Sequence, residues 1–139
     1  MKVILVVLMV LNLSVLAAPL TSKESTKALC ETIMQDVTDN KIVEGLHKIS
    51  EYSGITKAEF EVQINSLNDQ MPMITKRFGK TIGYELIDVQ EKGTSILQYR
   101  FIQKFERHAL IWHFIFYKSV DGWLVNTWYA NDKIVALFQ

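Results

Sequence analysis

The chain has 139 residues, 49% of them hydrophobic, with 15 basic side chains against 15 acidic and a single cysteine. That length supplies one core of ordinary size, the even charge balance with no basic cluster argues against nucleic acid or an anionic membrane surface as partner, and one cysteine excludes an internal disulfide. Packing alone must hold the fold.

Met1 to Ala18 carries one charge, Lys2, followed by an apolar run from Val3 to Leu11, a break at Asn12 and Ser14, and small residues at Ala17 and Ala18. This is the pattern of a secretory signal peptide, and the apolar run is shorter than the about 20 residues that span a bilayer. Cleavage is expected after Ala17, with Ala18 as the second position. The expectation is residues 1–17 as signal peptide and 18–139 as a single exported domain, secreted or periplasmic, with no membrane attachment after cleavage. No cysteine follows the cut closely enough to carry a lipid anchor.

A first helix is expected to start near Thr21 or Ser22, with Glu24 placed for a Thr-x-x-Glu capping box, and to end at Asp39-Asn40. Leu29, Cys30, Ile33, Met34 and Val37 recur on one face, so Cys30 reads as a buried, inert thiol. A second, shorter helix follows with Ile42, Val43, Leu46, Ile49 and Tyr52 as its stripe, closing at Ser53-Gly54. His47 lies well off that stripe and reads as solvated. Thr56, with Glu59 three residues on, caps a third helix bearing Phe60, Ile64, Leu67, Met71, Ile74 and Phe78. Pro72 interrupts its pattern, which predicts a kink or a break near Gln70. Lys76, Arg77 and Gly79 form a C-terminus of the usual kind.

Strands follow. The first is expected over about Ile82 to Gln90, with a turn at residues 91–94. Of the fifteen aromatic residues, eleven lie between Tyr99 and the C-terminus, so the block from Ser95 to Ala130 must wall the core. Read at period two, Leu97, Tyr99, Phe101 and Phe105 share one face of the second strand while Gln98, Arg100 and Lys104 share the other. A turn at Glu106-Arg107 leads to Ala109–Lys118, where Leu110, Trp112, Phe114 and Phe116 face one side and Ile111, His113, Ile115 and Tyr117 the other. A strand apolar on both sides is central. Asp121-Gly122 is the positive-φ pair of a tight hairpin before Trp123 to Ala130 returns.

The residues offer little chemistry. No two histidines stand at metal-ligand spacing, and there is no phosphate loop, nucleophile elbow or paired cysteine motif, so neither metal nor cofactor is expected. One constellation stands out. If the turns set the registers, Glu85, Arg100 and His113 lie side by side across three strands on one face, where a carboxylate, a guanidinium and an imidazole suit acid-base work or anion binding. The competing reading is a cross-strand polar ladder on the less apolar face, favoured because the more aromatic face is the one helices should cover. On that face, Tyr84, Phe101 and Trp112 form one row, and Leu86, Tyr99 and Phe114 the next.

Helices first, then a long helix leading into an antiparallel sheet closed by an Asp-Gly-Trp hairpin: on Phe78-Gly-Lys-Thr-Ile-Gly-Tyr-Glu-Leu86, Trp112 to Tyr117 and Val120-Asp-Gly-Trp-Leu-Val125, the chain resembles the nuclear-transport-factor-2-like superfamily. The resemblance is one of pattern over nearly the whole of residues 18–139. It implies an α+β cone whose curled antiparallel sheet wraps a helix and leaves a mouth lined by concave strands, often with dimers through the sheet. The superfamily includes ketosteroid-isomerase-like enzymes alongside exported domains that only bind. A cystatin-like fold, one helix on an antiparallel sheet, is the nearest alternative, and Val89-Gln-Glu-Lys-Gly93 is only superficially similar to the cystatin inhibitory loop.

The expectation is therefore an exported, non-catalytic domain that holds a small apolar ligand or a protein partner, with Tyr84, Tyr99, Trp112 and Phe114 lining the concave face. Its rival is a small isomerase- or hydrolase-like enzyme using Glu85, Arg100 and His113. A homodimer through Ile102, Ile111, Ile115 and Tyr117 on the opposite face is a third possibility.

Overall fold

The computed structural model describes residues 20–139, so the signal-peptide expectation lies outside the described residues. Helix α1 spans Lys23–Thr38, α2 Ile42–Ser50 and α3 Lys57–Phe78; four strands follow, β1 Thr81–Lys92, β2 Ile96–Phe105, β3 Ala109–Lys118 and β4 Trp123–Asn131, and a short 3-10 helix, Ile134–Phe138, closes the chain. The strands form one curled antiparallel sheet in the order β1-β2-β3-β4, with the helices packed on it. The α+β class expected from the pattern is the observed one.

The capping residues of α1 differ from those expected. Ser22 is the N-cap, accepting from the Ser25 N–H at 3.1 Å, while the Ser25 hydroxyl accepts from the Ser22 N–H at 3.2 Å. Two short hydroxyls complete the reciprocal pair that Thr21 and Glu24 were expected to make. Thr26, Cys30, Ile33, Met34 and Val37 form the buried stripe. Burial pushes the Cys30 thiol well above its ordinary pKa, which leaves it protonated and unreactive.

At α3 the Thr56–Glu59 capping box is present, but the helix is not broken at Pro72. The lost main-chain bond is outweighed by anchorage on both sides of the proline. Phe60, Ile64 and Leu67 are buried before it, Phe78 is buried after it, and Met71 and Ile74 pack against the core. His47 meets Glu61 of α3 at the surface, Nε2 to Oε1 2.6 Å.

The helices cover the aromatic face. Leu97, Tyr99, Phe101, Phe105, Leu110, Trp112, Phe114 and Phe116 are all buried in one cluster with the helical stripes. Phe101 and Phe114 meet edge to face at 5.9 Å, and Trp112 stacks on Phe114 at 6.2 Å and on Trp128 at 6.4 Å. Each such ring contributes about 1.5 to 3 kcal/mol by area alone. On the outer face of β3, Ile111 is also buried, and the C-terminal 3-10 helix packs against the same strand.

Two connections alter the expected pairing. Lys92 pairs with Ile96, so the β1–β2 loop is residues 93–95, and a register shift lies between Leu86 and Asp88. Leu86 rather than Tyr84 therefore pairs with Phe101, Tyr84 pairs with Gln103, and Val89 pairs with Tyr99. The β2–β3 register is as expected: Phe101 with Trp112, Arg100 with His113, Tyr99 with Phe114. Between β3 and β4 the loop is Ser119 to Gly122, closed by the Ser119 N–H to the Gly122 carbonyl at 2.8 Å; of Asp121-Gly122 only the glycine has positive φ.

Candidate functional site

The outer face carries a polar row. The shifted β1 register removes Glu85 from it, since Glu85 pairs with Ile102 and is exposed, and puts Asp88 opposite Arg100 instead. The Arg100 guanidinium engages Asp88 Oδ2 through both Nε, at 2.8 Å, and Nη2. That pairing holds the Asp88 carboxyl below its usual range. His113 is buried beside Arg100, stacks face to face on Tyr129 at 4.1 Å, and receives the Gln98 amide at Nδ1 at a long 3.4 Å. Burial, followed by the nearby guanidinium, pushes the His113 pKa down. The imidazole is therefore neutral at pH 7. Arg100 and His113 thus do come together while Glu85 does not, and the guanidinium already has its carboxylate.

On the helix-covered face, the four aromatic residues expected to line a concave surface divide. Tyr99, Trp112 and Phe114 are closed into the core, whereas Tyr84 is half-buried at its edge. The Tyr99 hydroxyl is tied to the first turn of α1, 2.9 Å from Thr26 Oγ1 and donating to the Lys23 carbonyl at 3.1 Å. Trp112 donates its indole N–H to Gln103 Oε1. These are the contacts of packed residues, and the cavities of the structure are lined by others.

The open space lies along the seam between α3 and β4. Helix α3 leans over the sheet from Phe60, whose ring is 6.0 Å from Trp128, to Phe78, whose ring meets Phe105 at 5.6 Å and stacks on His108 at 4.4 Å. Between those anchors a cleft of about 410 Å³ has an apolar floor of Leu67, Ile74, Phe78, Leu110 and Ala130, with Met73 on its wall. Asp69, Gln70, Arg77, Asn131 and Asp132 form its rim. A second hollow of about 420 Å³ continues along the seam, bounded by Val62, Ser66 and Gln70 on the helix and by Trp128, Tyr129 and Ala130 on the strand, and shares Leu67, Gln70 and Ala130 with the first. The Trp128 indole N–H is buried with no hydrogen-bond partner among the described residues. Apolar walls with a few polar groups at the rim suit an apolar or amphipathic guest. Among the described residues no cluster of histidine, cysteine and carboxylate could hold a metal ion, and no helix is long and apolar enough to cross a membrane.

Sequence reasoning passed over three residues of consequence. Asp88 was hidden by the register shift, and Gln103 by its place among aromatics on a face read as apolar. Trp128 was read only as part of a strand. The one available signal was Gln103 itself, a polar residue at an inward position that needs a partner of its own. Comparisons with protein-family models, with curated proteins and with solved structures find no match for this chain.

Proposed function

We propose that this chain is an exported, non-catalytic binding domain with the cone architecture of the nuclear-transport-factor-2-like superfamily, and that it takes a small apolar ligand in the seam between α3 and β4. The order of elements and the curled antiparallel sheet under the helices support the cone reading. The observation that carries the binding reading is the cleft of about 410 Å³ floored by Leu67, Ile74, Phe78 and Leu110. Its volume is that of ordinary small-molecule pockets, about 300 to 1,000 Å³. The site thus sits at the rim of the aromatic face rather than on Tyr99, Trp112 and Phe114, which serve as its rigid backing.

The enzyme alternative draws no support from the polar row. Glu85 stands away from Arg100 and His113, Arg100 is committed to Asp88, and the row lies on the face away from the cleft.

The test is a thermal-shift and fluorescence titration of the exported chain with an anilinonaphthalene sulfonate dye and a panel of straight-chain fatty acids and sterols. A ligand present at a hundred times its dissociation constant adds about 2.7 kcal/mol to stability, a clear rise in Tm. Met73 is 69% exposed on the cleft wall, so Met73→Glu should abolish the shift while leaving the unliganded Tm unchanged. A panel in which no member raises Tm, or one in which Met73→Glu responds as the parent does, overturns the ligand reading.

A further inference from the structure

The two edges of the sheet are treated differently by the chain. Edge strands invite pairing with other strands, and proteins blunt them with charge, bulges or covering segments. Strand β1 has two of these: register shifts near Thr81 and Leu86, and charged Glu85, Asp88, Glu91 and Lys92. The first half of β4 is covered, with the Trp123 N–H donating to the Leu20 carbonyl at 2.7 Å and the Val125 N–H to the Tyr52 carbonyl at 2.8 Å. The second half, Thr127-Trp-Tyr-Ala-Asn131, carries no charge, and although Ser53 and Ile55 adjoin Thr127 and Trp128 across a small hollow, no strand pairs with it among the described residues.

The main-chain directions there follow from the ladder. Trp123 and Val125 point their N–H groups outward, and the extra residue at Asn126, opposite the Ile115/Phe116 step, shifts the alternation by one. Trp128 and Ala130 therefore present N–H and C=O outward, and no main-chain partner meets them among the described residues. The hollow at this place touches Trp128 on the inner side and Tyr129 on the outer, so it opens at the edge itself.

We infer that this edge pairs with the same edge of a second copy of the chain, antiparallel about a two-fold axis at Tyr129. In that register, Trp128 of one copy and Ala130 of the other exchange main-chain hydrogen bonds in both directions, Thr127 faces Asn131, and Tyr129 faces itself. Nothing charged is opposed to its like. Five residues of strand are too little for a stable dimer, which needs about 1,200 to 2,000 Å² in all. The helix flank beside the edge supplies further apolar area, because Val62 and Met73 are each 69% exposed and lie on one side of α3. The pairing joins two four-stranded sheets into one; it draws on the main chain of β4, whereas the ligand reading rests on the cleft floor, and the two share the Met73 wall.

Sedimentation velocity of the exported chain tests it. The parent is expected at twice the chain mass; Ala130→Pro, which removes an outward N–H without touching the β3 ladder, and Tyr129→Lys, which sets two cations on the axis, are expected at the chain mass with unchanged far-UV circular dichroism. Because residues opposed in a pair of this type bring their Cβ atoms within about 4.5 to 5.5 Å, Tyr129→Cys is expected to form an inter-chain disulfide on oxidation. The background is clean, since the only native cysteine, Cys30, is buried. A parent that stays monomeric at its highest soluble concentration overturns the inference and leaves the edge to a strand of another protein. A dimer that survives both substitutions, or that cross-links through Leu124→Cys rather than Tyr129→Cys, overturns it in favour of the outer face.

Discussion

The indole N–H of Trp112 donates to Oε1 of Gln103 across 3.0 Å, and both side chains are wholly buried on the helix-covered face. The Gln103 amide nitrogen passes on to Thr81 Oγ1 at 2.9 Å, so one side-chain chain ties β3, β2 and the start of β1. A tryptophan can occupy the centre of this core because its one donor is satisfied there.

Gln103→Leu keeps the volume and removes both bonds. Leaving the Trp112 N–H buried without a partner costs about 1 to 3 kcal/mol, to be read as a lower urea midpoint at constant m-value. Adding Trp112→Phe removes the orphaned donor, so the double variant should lose less than the sum of the two singles. Strict additivity would mean that the bond contributes nothing beyond packing.

Acid stability should carry a contribution from each of two titrating groups, His113 and Asp88. His113 has a depressed pKa, so the folded state binds fewer protons than the unfolded chain between the ordinary histidine value of 6.5 and its own lower one. Stability therefore rises with pH through that interval and is complete above 6.5. Asp88, lowered by Arg100, adds stability above the ordinary 3.8 that is lost as pH falls through its folded value. The groups facing His113 are Arg100 on β2 and Tyr129 on β4, with Asp88 acting through Arg100. Urea midpoints of His113→Gln measured against pH should lose the histidine contribution alone, whereas Asp88→Asn should lose the carboxylate one. A His113→Gln profile parallel to the parent's from neutrality down to pH 4 would contradict this.

The sequence was legible where period and face decide. Alternation over β2 and β3 told the helix-covered side from the outer one, and the short Glu106-Arg107 turn placed Arg100 beside His113 as found. It failed where the β1–β2 loop and a bulge set the pairing, which stands three positions from the expected one at Arg100. The loop of residues 93–95, together with the shift between Leu86 and Asp88, exchanged Glu85 for Asp88 and Tyr84 for Leu86, as a small change in register must. The cleft was illegible for another reason. Which stretch of a helix lifts off a sheet depends on the sizes of the anchors at its two ends, here Phe60 and Phe78, and no local pattern encodes that distance.

The anchor at the second end rests on Gly79. Its φ of 91° and ψ of −162° belong to glycine alone, and a Cβ there would lie 2.8 Å from Glu106 Cβ. The close approach has a purpose. It lets the Arg107 N–H reach the Phe78 carbonyl at 2.8 Å, the Lys80 N–H reach Glu106 Oε1 at 2.8 Å, and the Arg107 side chain donate to the Lys76 and Arg77 carbonyls, so the β2–β3 turn caps the end of α3. Gly93, with φ 58° and nothing within 4 Å of an added Cβ, is the internal control. Gly93→Ala should cost about 1 to 2 kcal/mol, the left-handed penalty of an L-residue. Gly79→Ala should cost more, because it adds a contact with backbone-anchored carbon to the same kind of strain. It should also weaken dye binding in the cleft, whose floor includes Phe78, while Gly93→Ala leaves binding unchanged. Equal losses of stability in the two variants would mean that the turn yields to the added methyl, and that α3 is held at this end by the Phe78 ring rather than by its cap.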